Sequence, residues 1–216
     1  MTSQIKIDFV SDVSCPWCAI GLASLDEALA ELGHEVDARM HFQPFELNPD
    51  MPPEGRAIVE YLGRKYGLTP EKIEQNSAAI RARGREVGFV FNRRDHVYNT
   101  FDAHRLLCWA GREGRQKALK QALFKAYFTD GQDPSAHEVL IRAAVAAGLD
   151  AQAARDVLAG DGYAKEVRER ERYYRDLGIN AVPAVIVNDR HLIQGGQPVE
   201  VFRRALQQIA AGDDEA

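Results

Sequence analysis

Apolar and polar positions along the chain change their spacing several times. Ile5 to Val10 is a short, β-branched apolar run, which predicts a buried strand. After Pro16 the spacing becomes helical, with Leu22, Leu25, Leu29 and Leu32 on one stripe. That stripe stops at Gly33, a residue that tolerates the left-handed conformation of a helix end. Val36, Ala38, Met40 and Phe42 then alternate with polar residues, predicting a second strand over Val36 to Phe45. Strand, helix and strand in this order form a βαβ unit, whose handedness makes the two strands parallel neighbours.

From Asn48 to about Gly178 strand signals all but vanish and helix starts and stops follow one another. Pro52-Pro53 predict a helix ending near Gly67, and Thr69-Pro70 predict an N-cap and first-turn proline for a helix to about Val87. Phe89 to Tyr98 reads as irregular. Thr100 is placed to cap a helix over Phe101 to Arg112, and Asn99 and Asp102 to cap and hydrogen-bond nearby. Ala118, Leu119, Ala122, Leu123, Ala126 and Tyr127 trace a further helical stripe. Ser135 to Glu138 reads as a capping box before Val139 to Ala147, and Asp150 as the cap of a helix to about Leu158. A last helix of this block carries Tyr163, Val167, Tyr174 and Leu177.

Strand character returns at Ala184 to Val187, with a turn at Asn188-Asp189 and a hairpin strand over His191 to Ile193. Gly195-Gly196 break it, Pro198 opens a final helix, and the acidic tail from Gly212 to Ala216 reads as frayed. The order is β-α-β, helical block, β-β-α. That is an α/β protein with the thioredoxin layout and a large all-helical insertion. Residues 1–47 and 179–216 make the thioredoxin-like domain, and residues 48–178 the insertion.

The composition adds little to this but excludes much. The 216 residues are 45% hydrophobic and 27% charged, and a net charge of −5 gives no reason to expect nucleic acid. Arg81/Arg83/Arg85 and Arg168/Arg170/Arg172 read as solvated helix faces. No signal peptide or membrane-spanning run is visible, so the expected location is cytoplasmic. Three cysteines in such a compartment do not make a disulfide framework, and a close pair there points to catalysis or metal binding.

That pair is Cys15 and Cys18, separated by Pro16 and Trp17 at the corner between first strand and first helix. Backbone N–H groups and the dipole at a helix start favour a thiolate. Cys15 is at the helix mouth and Cys18 one turn in, which assigns Cys15 as attacking thiolate and Cys18 as resolving thiol. A zinc set of Cys15, Cys18, His104 and Cys108 is the rival, since His104 and Cys108 share a helix face. On spacing alone Cys108, beside Trp109, reads as a packed core thiol, and Asp12 as the cap of the loop or a proton relay. On the same basis Pro183 reads as a trans proline opening a strand.

Cys15-Pro16-Trp17-Cys18 after a strand, together with Gly178-Ile179 and Val182-Pro183-Ala184-Val185-Ile186-Val187, resembles the DsbA-like thioredoxin superfamily. Asn99 to Leu106 and Leu123 to Phe128 are similar to the insertion of its FrnE-type branch. The resemblance implies a thiol-disulfide oxidoreductase or isomerase, with a redox-active Cys15–Cys18 disulfide and no other cofactor. It also implies a cis Val182–Pro183 bond facing that disulfide. Pro16, Trp17, Val182, Pro183 and His104 become substrate-binding candidates, with His104 on a helix that roofs the site. Tyr98, Phe101, Phe128 and Trp17 are candidates to line an apolar groove. The expected partners are disulfide- or thiol-bearing proteins or small molecules, with glutathione as a possible co-substrate and monomer and homodimer both open. Trp17 stands where the periplasmic enzyme has a histidine, so a strongly oxidising potential does not carry over. Related kappa-type glutathione transferases and 2-hydroxychromene-2-carboxylate isomerases offer a second reaction on this fold. They typically carry serine at the nucleophile position, which the Cys15/Cys18 pair argues against.

Overall fold

A computed structural model describes residues 2–52 and 54–212. Four strands form the central sheet: β1 (Ser3–Ser11), β2 (Val36–Pro44), β5 (Ala184–Val187) and β6 (His191–Gln194), in the order β2-β1-β5-β6. β1 and β2 run parallel, joined by helix α1 (Pro16–Leu32), while β5 lies antiparallel to β1 and β6 to β5. The β5–β6 turn places Asn188 and Asp189 at φ 52° and 57°, as a tight hairpin requires. α1 and the C-terminal helix α9 (Val199–Ala211) pack together, with Leu25, Ala28, Phe202 and Leu206 in the same core as Ile7, Phe9 and Val185. The thioredoxin layout expected from the sequence is present. The tail beyond Gly212, and Pro53, lie outside the described residues.

Between β2 and β5 the chain is mainly helical: α2 (Ile58–Tyr66), α3 (Pro70–Glu86), α4 (Phe101–Arg112), α5 (Gln116–Phe124), α6 (His137–Ala146), α7 (Ala151–Ala159) and α8 (Ala164–Asp176). Strands are not wholly absent. β3 (Arg56–Ala57) pairs with β4 (His96–Val97). This corrects the expected helix from Pro52: Gly55, at φ +72°, turns the chain into β3, and helix begins only at Ile58. Asn99 caps as expected, its Oδ1 accepting from the Phe101 N–H, but two other expected caps are corrected: Thr100 makes no side-chain cap, and Ser135 spends its N–H and hydroxyl on Asp133 instead of capping α6. Thr69 and Asp150 cap as expected, accepting from the Lys72 and Ala153 N–H groups.

One side chain of α5 hydrogen-bonds to the edge of the sheet. β2 is an edge strand, and Gln116 both accepts from the Phe42 N–H at 2.9 Å and donates to the Phe42 carbonyl at 3.0 Å. A side-chain amide thus supplies the bonds a neighbouring strand would make, and it covers an exposed edge. One turn on, Lys120 shares Gln116's helix face and is carried into the interior. A π-helical turn (Lys125–Thr129) follows, and places Tyr127 and Phe128 in the core shared with the sheet.

α8 docks on the end of β2 through ions. Arg168 pairs with Glu46 and, at 2.9 Å, with Glu171, while Arg170 reaches Gln43 at 2.8 Å. The reading of Arg168 and Arg170 as a solvated face is corrected in part: both side chains stay more than 40% exposed, but Arg168 pairs with Glu46 across to the end of β2, while Arg170 pairs with Glu166 of its own helix and only hydrogen-bonds to Gln43.

Candidate active site

Cys15 is the N-cap of α1 and Pro16 its first residue, where the missing N–H costs nothing. Asp12 shapes the loop before them. Its carboxylate accepts from the Ser14 N–H at 3.1 Å, the Ser14 hydroxyl at 2.9 Å and the Leu47 N–H at 2.7 Å. Asp12 thus caps the loop. Burial opposes its charge, but His104 beside it and these N–H donors lower its pKa to about 2.

Cys15 and Cys18 are free thiols in hydrogen-bond contact. Cys15 is 4% exposed and Cys18 fully buried, so the two sulfurs are unequal in access. Burial, and then the hydrogen bond to Cys15, push the Cys18 thiol well above the ordinary range. The Val182–Pro183 peptide is cis, and the Val182 carbonyl accepts from Cys15 Sγ at 3.6 Å. The sequence-distant Val182 and Pro183 therefore do meet the Cys motif.

Two glycines permit this meeting. A Cβ on Gly21 would lie 3.2 Å from both Pro183 Cγ and the Gly196 Cα, and one on Gly196 would lie 2.8 Å from the Trp17 carbonyl. Bare backbone at both positions lets α1, the Pro183 loop and the turn after β6 close on one another. Trp17 stays 41% exposed at the rim.

Behind the thiols lies a charged group that periodicity did not reveal. Lys120 is fully buried with no hydrogen-bond partner for its Nζ among the described residues. Burial lowers its pKa to about 8, against the pull of Cys18, Asp12 and Cys15, all within electrostatic range. His104 is 1% exposed, and its Nε2 lies 3.5 Å from Asp12 Oδ1. The structure places His104 behind the motif, not over it, and outside the lining of the cavity at Cys15. Cys108 is a buried free thiol, raised to about 11 by burial. Among the described residues no three His, Cys, Asp or Glu side chains are grouped to hold a metal, so the four zinc candidates do not assemble.

In front of Cys15 a cavity of about 610 Å³ opens between the motif, Val182, α2 and α3. Trp17 lines it as expected. Tyr98, Phe101 and Phe128 do not: Phe128 is core, and Phe101 lies under the Arg168 guanidinium at 3.9 Å. Ile58, Tyr61, Leu62 and Tyr66 of α2, with Ile73 and Ile80 of α3, form the wall instead.

The model of the DSBA-like thioredoxin domain matches residues 6–207. The chain belongs to this family. It is 35% identical to the probable DsbA oxidoreductase SCO1869 of Streptomyces coelicolor, with a TM-score of 0.90 over 98% of this chain and 92% of that one. Protein YwbO of Bacillus subtilis is 27% identical over 95% of this chain and 96% of its own. The cytosolic disulfide reductase DsbM of Pseudomonas aeruginosa, solved with GSH, shares the fold at a TM-score of 0.64 and 18% identity, covering 95% and 99% of the two chains. DsbA-like proteins act on thiols and disulfides. Among the described residues, no helix is long and apolar enough to cross a membrane.

Proposed function

We propose that the protein is a thiol-disulfide oxidoreductase using Cys15 as nucleophile and Cys18 as resolving thiol. One observation carries this reading: two free thiols in hydrogen-bond contact at the start of α1, one facing a cavity and the other buried near an unpaired lysine. The Cys15 thiolate attacks a disulfide R–S–S–R′. A Cys15–S–S–R bond forms, and R′–S⁻ leaves and takes up a proton. Cys18 then gives up its proton, its thiolate favoured by the nearby Lys120 ammonium, attacks Cys15 Sγ and expels R–S⁻, which takes up a proton. The protein is left as the Cys15–Cys18 disulfide, and the substrate has gained two electrons. Run backwards, the same steps oxidise a dithiol, so direction follows the potentials of the partners.

The family membership and the likeness to SCO1869 support the reaction class, and the likeness to 2-hydroxychromene-2-carboxylate isomerase supports a FrnE-type placement. Glutathione fits as the thiol that returns the disulfide to dithiol. A kappa-type isomerase reaction is less well supported, because it leaves Cys18 without a role. A cytoplasmic site of action is part of this proposal.

Variants test it. With insulin as substrate and dithiothreitol as reductant, Cys15→Ser should lose reduction entirely, and Cys18→Ser should accumulate a mixed disulfide at Cys15. Undiminished reduction by Cys15→Ser would sink the reading.

A further inference from the structure

We propose that the cavity beside Cys15 is a binding chamber for a low-molecular-weight disulfide or thiol with an apolar body and an anionic group, and that Arg94 reads the anion. The proposal rests on the thiol-exchange reading above and names its substrate class.

The cavity's size, about 610 Å³, is that of a small-molecule site. Its wall is mainly apolar, with Ile58, Tyr61 and Leu62 on α2 and Ile73 and Ile80 on α3, while Asn76 and Ser77 of α3 add polar atoms. α2 buries none of its residues, although its apolar side chains lie on one face, so that face awaits an occupant. The β3–β4 pairing fixes α2 against the segment that carries Arg94, and the Ile58 N–H donates to the Asp95 carbonyl at 2.8 Å. The wall is therefore held in place with its apolar side still open.

Arg94 is the only charged side chain that lines this cavity among the described residues, in a protein of net charge −5. Its guanidinium lies 4.8 Å from the ring centre of Tyr127 and 4.6 Å from that of Phe128, both core residues of the π-turn. The rings hold it without neutralising it, and it forms no ion pair with any described carboxylate. A cation against an apolar wall is poorly solvated unless an anion meets it. A ligand whose sulfur reaches Cys15, whose body covers the apolar wall and whose anion meets Arg94 satisfies all three features at once. A polar peptide such as glutathione leaves the wall uncovered.

The test uses the reduced protein and three disulfides: dithiobis-nitrobenzoate (aromatic, with carboxylates), dithiodipyridine (aromatic, uncharged) and oxidised glutathione (polar). Each rate constant is divided by that of free cysteine with the same reagent, which removes intrinsic reactivity. The normalised rate should be highest for dithiobis-nitrobenzoate and lowest for oxidised glutathione. Arg94→Gln should lower the ratio of dithiobis-nitrobenzoate to dithiodipyridine rates by about tenfold, and Arg94→Lys should restore most of it. The restoration separates charge from lost packing on Tyr127 and Phe128. An unchanged ratio in Arg94→Gln, or a normalised preference for oxidised glutathione, would overturn the inference and leave thiol exchange standing. Cys15→Ser that still consumes the aromatic disulfides would overturn thiol exchange itself, and this proposal with it.

Discussion

Lys120 bears the sharpest conflict of any residue in the molecule. Its ammonium is fully buried without a hydrogen bond, an arrangement that opposes folding and persists beside the resolving thiol. Its pKa of about 8 lies below the 10.5 of a free lysine. Between these values the unfolded chain holds a proton that the folded chain does not, so this residue's contribution to stability rises with pH across the window. Below pH 8 its cost is fully present. Lys120→Met should therefore stabilise the protein at pH 7 by about 1–3 kcal/mol, with the advantage over the unaltered protein fading towards pH 10.5. The same variant should slow release of the second thiol in a single turnover by about a hundredfold. Urea unfolding at both pH values and stopped-flow thiol release check the two halves. Loss of stability at pH 7, or an unaltered release rate, would contradict the assignment. Cys15, Cys18, Val182 and Pro183 were legible in the sequence because each belongs to a compact motif. Lys120 and Arg94 were not. A lysine beside an apolar helical stripe looks like surface, and only Gln116 clasping the β2 edge turns that face inward.

At the scale of elements, the site is a junction of α1, the Pro183 loop and the turn after β6, and its tolerance is set by two glycines. Gly21 sits in mid-helix, where glycine costs about 1 kcal/mol relative to alanine. The cost is offset by an approach to Pro183 and Gly196 that a Cβ would crowd. Gly196→Ala brings a carbon to 2.8 Å from the Trp17 carbonyl, so α1 must move away from the turn. The expected result is a loss of about 1–3 kcal/mol in stability and slower exchange with disulfides, against near-neutral behaviour in Gly160→Ala, whose Cβ would meet only the Asp156 carbonyl at 3.9 Å. Equal effects in both would remove the junction from the account. Element existence was well marked by periodicity: α1 spans Pro16 to Leu32 as the leucine stripe implies. Boundaries set by long-range partners were not marked. α2 starts late because Arg56-Ala57 pair with His96-Val97, some forty residues on. Asn99 takes the N–H expected of Thr100, and Ser135 turns back to Asp133 and leaves α6 without a side-chain cap, because several polar residues in one loop compete for the same partners.

Across the whole molecule, the division into residues 1–47 with 179–216 and an insertion of 48–178 is proposed from chain order, and packing crosses it. Phe91, Phe124, Tyr127 and Phe128 share a core with Ile7, Phe9 and Cys18, while Val13 joins the cluster of α4 to α7. The insertion thereby supplies what the sheet half lacks: the lysine behind the thiols and the cavity wall in front of them. The topology was readable from the order of strand and helix signals, whereas this sharing depends on contacts far apart in sequence. The most direct test of the central claim is a glutathione redox titration of the intact protein, read by mass after thiol alkylation. Cys15 and Cys18 should convert together from two alkylated thiols to one internal disulfide in a single two-electron transition, with Cys108 alkylated throughout. A stable glutathione adduct on Cys15 with Cys18 still free, or no change at either cysteine, would contradict it.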